Sequence, residues 1–205
     1  MVRMKTIFAL LALSIARTIA ADIEPIEQDA AGKIARKILA EYGSPADAPF
    51  PGELDTQKVA GIKGGEAGLI VIPDKKLTAE LLSAVTEKPT PIGQLWMHKV
   101  VPSINGTAAA ASKLRTVKIG GDEGSKSVEV YYLTVSKNTT GALELALTAV
   151  EKEPLVKVAL VKTDAASSSA PMAVNAHKEG ENSGILVLSV FGSYKADIQI
   201  TKATE

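Results

Sequence analysis

The chain has 205 residues, 46% of them hydrophobic, with 23 basic and 23 acidic side chains and no cysteine. That length and composition suit one folded domain with a sizeable core, not a disordered chain. The lack of cysteine excludes disulfides, thiolate metal sites, cysteine nucleophiles and lipid attachment at an N-terminal cysteine.

Residues 1–21 read as a secretory signal peptide. A basic start (Arg3, Lys5) precedes an apolar run from Ile7 to Ala16 and a close of small residues, Thr18 to Ala21. The run is shorter than the ~20 apolar residues of a membrane-spanning helix, and Arg17 ends it. Cleavage after Ala20 or Ala21 fits the pattern. The expected location is the periplasm or the exterior, with no stable membrane insertion once the leader is removed. Without Arg3, Lys5 and Arg17 the chain carries 20 basic and 23 acidic residues. Such a surface, with its charges interspersed, has no general attraction for nucleic acid or anionic lipid.

Residues 22–43 are predicted to form an N-terminal amphipathic helix. Ile26, Ala30, Ile34, Ile38 and Tyr42 recur every fourth residue, with Ala31, Ala35 and Leu39 beside them. Pro25 suits the first turn and Gly43 the C-terminal cap. The stripe is expected to lie against the following domain or, alternatively, against a partner protein. Residues 44–54, with Pro45, Pro49, Pro51 and Gly52, read as a connector.

Residues 55–205 are predicted to be the β domain. Val59 to Ile62 and Ala67 to Ile72 flank a Gly64-Gly65 hairpin signal. No Gly-Lys-Ser/Thr follows those glycines, which argues against a phosphate loop. Leu77, Leu81, Leu82 and Val85 follow helical spacing, with Thr78 as N-cap and Leu77 and Leu82 as a hydrophobic staple. This short helix is expected to plug one end of the β structure. Strands are then predicted at Gln94 to Val101, Leu114 to Ile119, Val128 to Val135, Leu143 to Thr148, Leu155 to Val161, Ile185 to Phe191 and Tyr194 to Thr201, with a short one at Met172 to Ala176. About nine strands joined mainly by hairpins predict an antiparallel β-sandwich, or a partly open barrel. Residues 67–101 are the one stretch where a parallel crossover would fit.

Chemistry-bearing residues are sparse. The two histidines are His98, predicted to share a strand face with Trp96 and Val100, and His177, at the start of a polar loop. Met97 and Met172 each lie near a histidine. Thioether plus imidazole suits copper, so Met97, His98, Met172 and His177 form a candidate metal set if their segments meet. No Gly-x-Ser-x-Gly elbow is present. Glu129, Glu144 and Asp197 are expected to point outward from strands. Asn105-Gly106-Thr107 and Asn138-Thr139-Thr140 match the glycosylation acceptor pattern.

These features predict an exported, non-enzymatic binding, adaptor or structural module that needs no cofactor and contacts an envelope or extracellular protein. Candidate contact residues are Ile34, Ile38 and Tyr42 on the helix, with Trp96, Tyr131 and Tyr132. The alternatives are a small extracytoplasmic hydrolase using His98 or His177 with a carboxylate, and a copper or small-ligand carrier.

Overall fold

The computed structural model describes residues 23–43, 47–120 and 124–203. The predicted leader at 1–21, residues 44–46 of the connector and residues 121–123 lie outside the described residues.

The first half of the chain runs β1 (Glu24–Pro25), α1 (Gln28–Tyr42), β2 (Ala60–Gly64), β3 (Ala67–Pro73), α2 (Ala79–Ser83), β4 (Thr90–His98) and β5 (Val100–Ile104). After β6 (Thr107–Ala108) and a 3₁₀ turn at Ala111–Lys113 come β7 (Thr116–Ile119), β8 (Lys126–Lys137), β9 (Leu143–Thr148) and β10 (Val156–Ala159). The chain ends with β11 (Val161–Lys162), β12 (Met172–Lys178), β13 (Ser183–Val190) and β14 (Tyr194–Lys202).

The strands form two antiparallel sheets that do not close into a barrel. The first has the order β1-β2-β3-β4-β8-β9-β10, with β7 pairing the other end of β8; the second has the order β12-β13-β14-β5-β6, with β11 on β14. The architecture is the predicted β-sandwich. The crossover allowed at residues 67–101 is absent, because β3 and β4 are direct antiparallel neighbours.

Two apolar layers explain why several strands are apolar on both faces. Leu69, Val71, Leu95, Met97, Tyr131 and Leu133 face the second sheet and build the inter-sheet core. Ile70, Ile72, Trp96 and Val130 face the other way, where α1 covers them. The helix thus makes a third layer. Its buried residues are Ala31, Gly32, Ala35 and Ile38. The seated face is therefore rotated from the predicted stripe, and Ile34 is left 41% exposed. At Gly32 the helix backbone comes close to the turn before β2: a Cβ there would lie 2.9 Å from the Thr56 carbonyl oxygen. The helix also starts later than predicted, at Gln28, since Glu24 and Pro25 pair with Ile62 and Lys63 at the sheet edge.

Two predicted strands are each split between sheets, which is one reason fourteen strands stand where about nine were expected. The run from Gln94 to Val101 breaks at Lys99, whose φ of 60° turns the chain out of β4 and into β5 of the other sheet. Val100 consequently joins the inter-sheet core and does not share the face of His98. The run from Leu155 to Val161 changes sheet at the buried Leu160. The first hairpin turns on Gly65-Glu66, one residue later than predicted, because Gly64 pairs with Ala67. A two-residue β6 also lies between β5 and the 3₁₀ turn.

Candidate functional site

The two ends of the sandwich differ. At one end, α2 follows β3 and leads into β4. Thr78 Oγ1 accepts the Leu81 N–H at 3.1 Å, forming the predicted N-cap. Leu77 and Leu82, the staple pair, are 6% and 2% exposed and enter the inter-sheet core beside Val85. This end is closed.

The opposite end is open. There the β2–β3 turn of one sheet faces the β12–β13 turn of the other, and a cleft of about 370 Å³ lies between them. Its floor includes Ile23, Ile62, Leu69, Val100, Ala176 and Ile200. All six belong to the inter-sheet core or pack against it, so the cleft is an unfilled end of that core. Gly68 and Gly184 line it without adding side chains. Lysines stand at the mouth: Lys63, Lys99, Lys178 and Lys202, with Glu66 and Glu181. Lys99 donates a hydrogen bond to Glu66. That bond, and then the charge of Lys99, hold the Glu66 carboxyl below its usual range, with smaller help from Lys202 and His98.

A second cleft, also about 370 Å³, is lined by Leu39, Phe50, Gln94 and Tyr132 among others.

The predicted metal set is not assembled. Met97 is fully buried in the inter-sheet core, while its neighbour His98 is half-buried on the opposite face of β4. His98 Nδ1 lies 2.7 Å from the Ser127 carbonyl oxygen. Met172 is in the core at 1% exposure, and His177 is exposed on β12 beside the cleft mouth. Strand alternation separates each thioether from its imidazole. Among the described residues no group of three or more histidine or acidic side chains comes together as a metal site, and neither histidine hydrogen-bonds a carboxylate.

The candidate contact residues lie mainly in the two cores. Ile38, Trp96, Tyr131 and Tyr132 are between 0% and 5% exposed. Tyr42 is half-buried over Trp96, at 5.0 Å between ring centroids and an interplanar angle of 89°. Of the set, Ile34 is exposed.

Glu129 does not point outward as expected. It is 8% exposed, and its Oε2 has no hydrogen-bond partner. Burial pushes its carboxyl above the usual range, opposed by its own backbone N–H and by His98. The Tyr131 hydroxyl, two residues along the same strand, is also buried without a partner.

Sequence reading missed the cleft. Its walls come from strands far apart in the chain, and its lysines look like ordinary solvated charges. The one local pattern that leads to it is the row of Ala196, Ile198 and Ile200 along β14, buried at its start and reaching the cleft at Ile200. Comparison with known proteins gives no match: no family model, no characterised relative and no solved structure resembles the chain.

Proposed function

We propose that this protein is an exported, non-catalytic binding module whose ligand site is the open end of the sandwich. The observation that carries this reading is the apolar cleft of about 370 Å³. Small-molecule sites are commonly concave, mostly apolar and ~300–1,000 Å³ in volume, with a few polar groups at the edge. The composition of residues 1–21 supports export. The hydrolase alternative requires an acid–base pair converging on a pocket. His98 is turned to a backbone carbonyl, and His177 has no carboxylate partner among the described residues. The copper alternative requires thioether and imidazole on one face, and β4 places Met97 and His98 on opposite faces.

The test uses a neutral apolar fluorophore, N-phenyl-1-naphthylamine, titrated into the purified protein. The expected result is saturable one-to-one enhancement, lost in Ala176→Phe and in Ala67→Phe, which fill the cleft from opposite sheets. Circular dichroism checks that each variant is folded. Non-saturable partitioning, or binding indifferent to both substitutions in folded variants, overturns the reading.

A further inference from the structure

We infer that the ligand of the end cleft is a free single-chain carboxylate, its alkyl chain in the cleft and its head group at the lysines; this rests on the binding-module reading above. The cleft is apolar at its floor and basic at its mouth, where four lysines stand against Glu66 and Glu181. Two of the lysines are already engaged: Lys63 with Glu24 at 3.5 Å, and Lys99 with Glu66. None of the ion pairs among the described residues uses Lys178 or Lys202.

The fold brings these two lysines to one side of the mouth. Lys178 ends β12 opposite Gly184. The Lys202 N–H donates to the Asn182 carbonyl at 2.9 Å, which holds the end of β14 against the β12–β13 turn. Across the mouth, the charge of Lys202 is felt by the Glu66 carboxyl. A neutral apolar ligand makes no use of these two ammonium groups, and a cationic one is repelled by the basic excess. An anion with an apolar tail satisfies both parts of the site. No arginine lines the cleft, so the planar fork that favours bidentate phosphate recognition is absent and a single carboxylate suits the point charges of lysine.

The finite size of the cleft, about 370 Å³, limits how much of the tail it can hold.

The test is displacement of the bound fluorophore by straight-chain acids, above their pKa and below micelle formation. Affinity should rise about fourfold per added methylene, the equivalent of ~0.8 kcal/mol, and level off once the chain outgrows the cleft. Dodecanoate should displace about fivefold better than dodecanol, and the preference should shrink with added salt. The double variant Lys178→Gln/Lys202→Gln should lose the preference and bind dodecanol as before. Phosphatidylglycerol vesicles should not compete. Equal displacement by acid and alcohol, an acid preference that survives the double variant, or competition by vesicles without competition by free acid would each overturn the carboxylate inference while leaving the binding module standing. Failure of the fluorophore itself to bind removes the module reading.

Discussion

The hydroxyls of Tyr42 and Tyr132 meet at 3.0 Å, joining the last turn of α1 to the middle of β8. The contact sits within a small polar–aromatic cluster. The Tyr42 ring packs edge-on against Trp96, whose Nε1–H donates to Gln94 Oε1 at 3.0 Å. The Arg115 guanidinium lies 5.9 Å from the centre of the Tyr132 ring. Burial, followed by the bond to Tyr42, raises the Tyr132 hydroxyl well above its ordinary range. Three of the four aromatic contact candidates, Tyr42, Trp96 and Tyr132, thus fasten the helix layer to the first sheet, while Tyr131 faces the inter-sheet core.

Tyr42→Phe should lower stability by about 1 kcal/mol, because the hydroxyl of the buried Tyr132 loses its partner. Tyr132→Phe should cost a similar amount. In urea unfolding the two substitutions should be clearly non-additive, the double variant losing little more than either single one. Additive losses would show that the hydroxyls do not act as a pair.

Arg115 forks Asp47 at 3.0 and 3.1 Å, and its Nε–H donates to the Ala149 carbonyl at 3.1 Å. The arginine side chain is 13% exposed and the aspartate 74%. The two partners should therefore respond unequally. Arg115→Met leaves the nearly buried Ala149 carbonyl unpaired and should cost about 2 kcal/mol. Asp47→Asn should leave the urea midpoint unchanged, since an exposed ion pair adds little. A larger loss for Asp47→Asn than for Arg115→Met would refute this division of roles.

Glu129 predicts a pH dependence of definite sign. Its folded-state pKa lies above the unfolded value because burial disfavours the charge. The fold therefore holds the proton more tightly than the unfolded chain does. The associated stability is fully present below the unfolded carboxyl pKa, about 4.3, and is lost as pH rises through the folded value. Glu129→Gln should raise stability by about 1 kcal/mol at roughly neutral pH. The gain should vanish below about pH 3, where both states of the parent are protonated. A pH-independent difference in unfolding midpoint would contradict the assignment.

Two glycines with positive φ separate backbone freedom from space. Gly93 lies at the β4 irregularity, where the register with β8 shifts between Pro91 and Gly93. Its φ is 154°, and a Cβ there would sit 2.4 Å from the Ile72 carbonyl oxygen. Gly141 has φ 83° with nothing within 4 Å of the Cβ position. Gly141→Ala should cost about 1 kcal/mol, the conformational term alone. Gly93→Ala should cost more, about 3 kcal/mol, as the β3–β4 pair is forced apart. Equal thermal shifts for the two would exclude the steric term.

Export carries its own measurement. Protein recovered outside the cytoplasm should begin at Ala21 or Asp22, according to whether cleavage follows Ala20 or Ala21. Intact mass reads the difference directly, and retention of Arg3 and Lys5 in exported protein would refute signal cleavage.

Local patterns carried the elements but not the places where the chain changes layer. Thr78, Leu77 and Leu82 were legible because a cap and its staple involve residues only a few positions apart. The inward row of β14 was legible because alternation is a property of one strand. The run from Gln94 to Val101 was not, because nothing in its apolar character marks Lys99 as the point of departure to the second sheet. Glu129 looked solvated because alternation tells faces apart without telling which face is covered.

The sequence alone was enough for an antiparallel sandwich or partly open barrel with a helical plug and a preceding amphipathic helix, since hydrophobic periodicity and turn residues act over a few positions. The tertiary structure decided which face of α1 is seated, that Trp96 and Tyr132 lie beneath it, and that one end of the sandwich stays open. Those outcomes depend on the space left when distant strands meet. The β2–β3 turn, the β12–β13 turn and the end of β14 are far apart in the chain, and only their packing sets an apolar cleft beside Lys178 and Lys202.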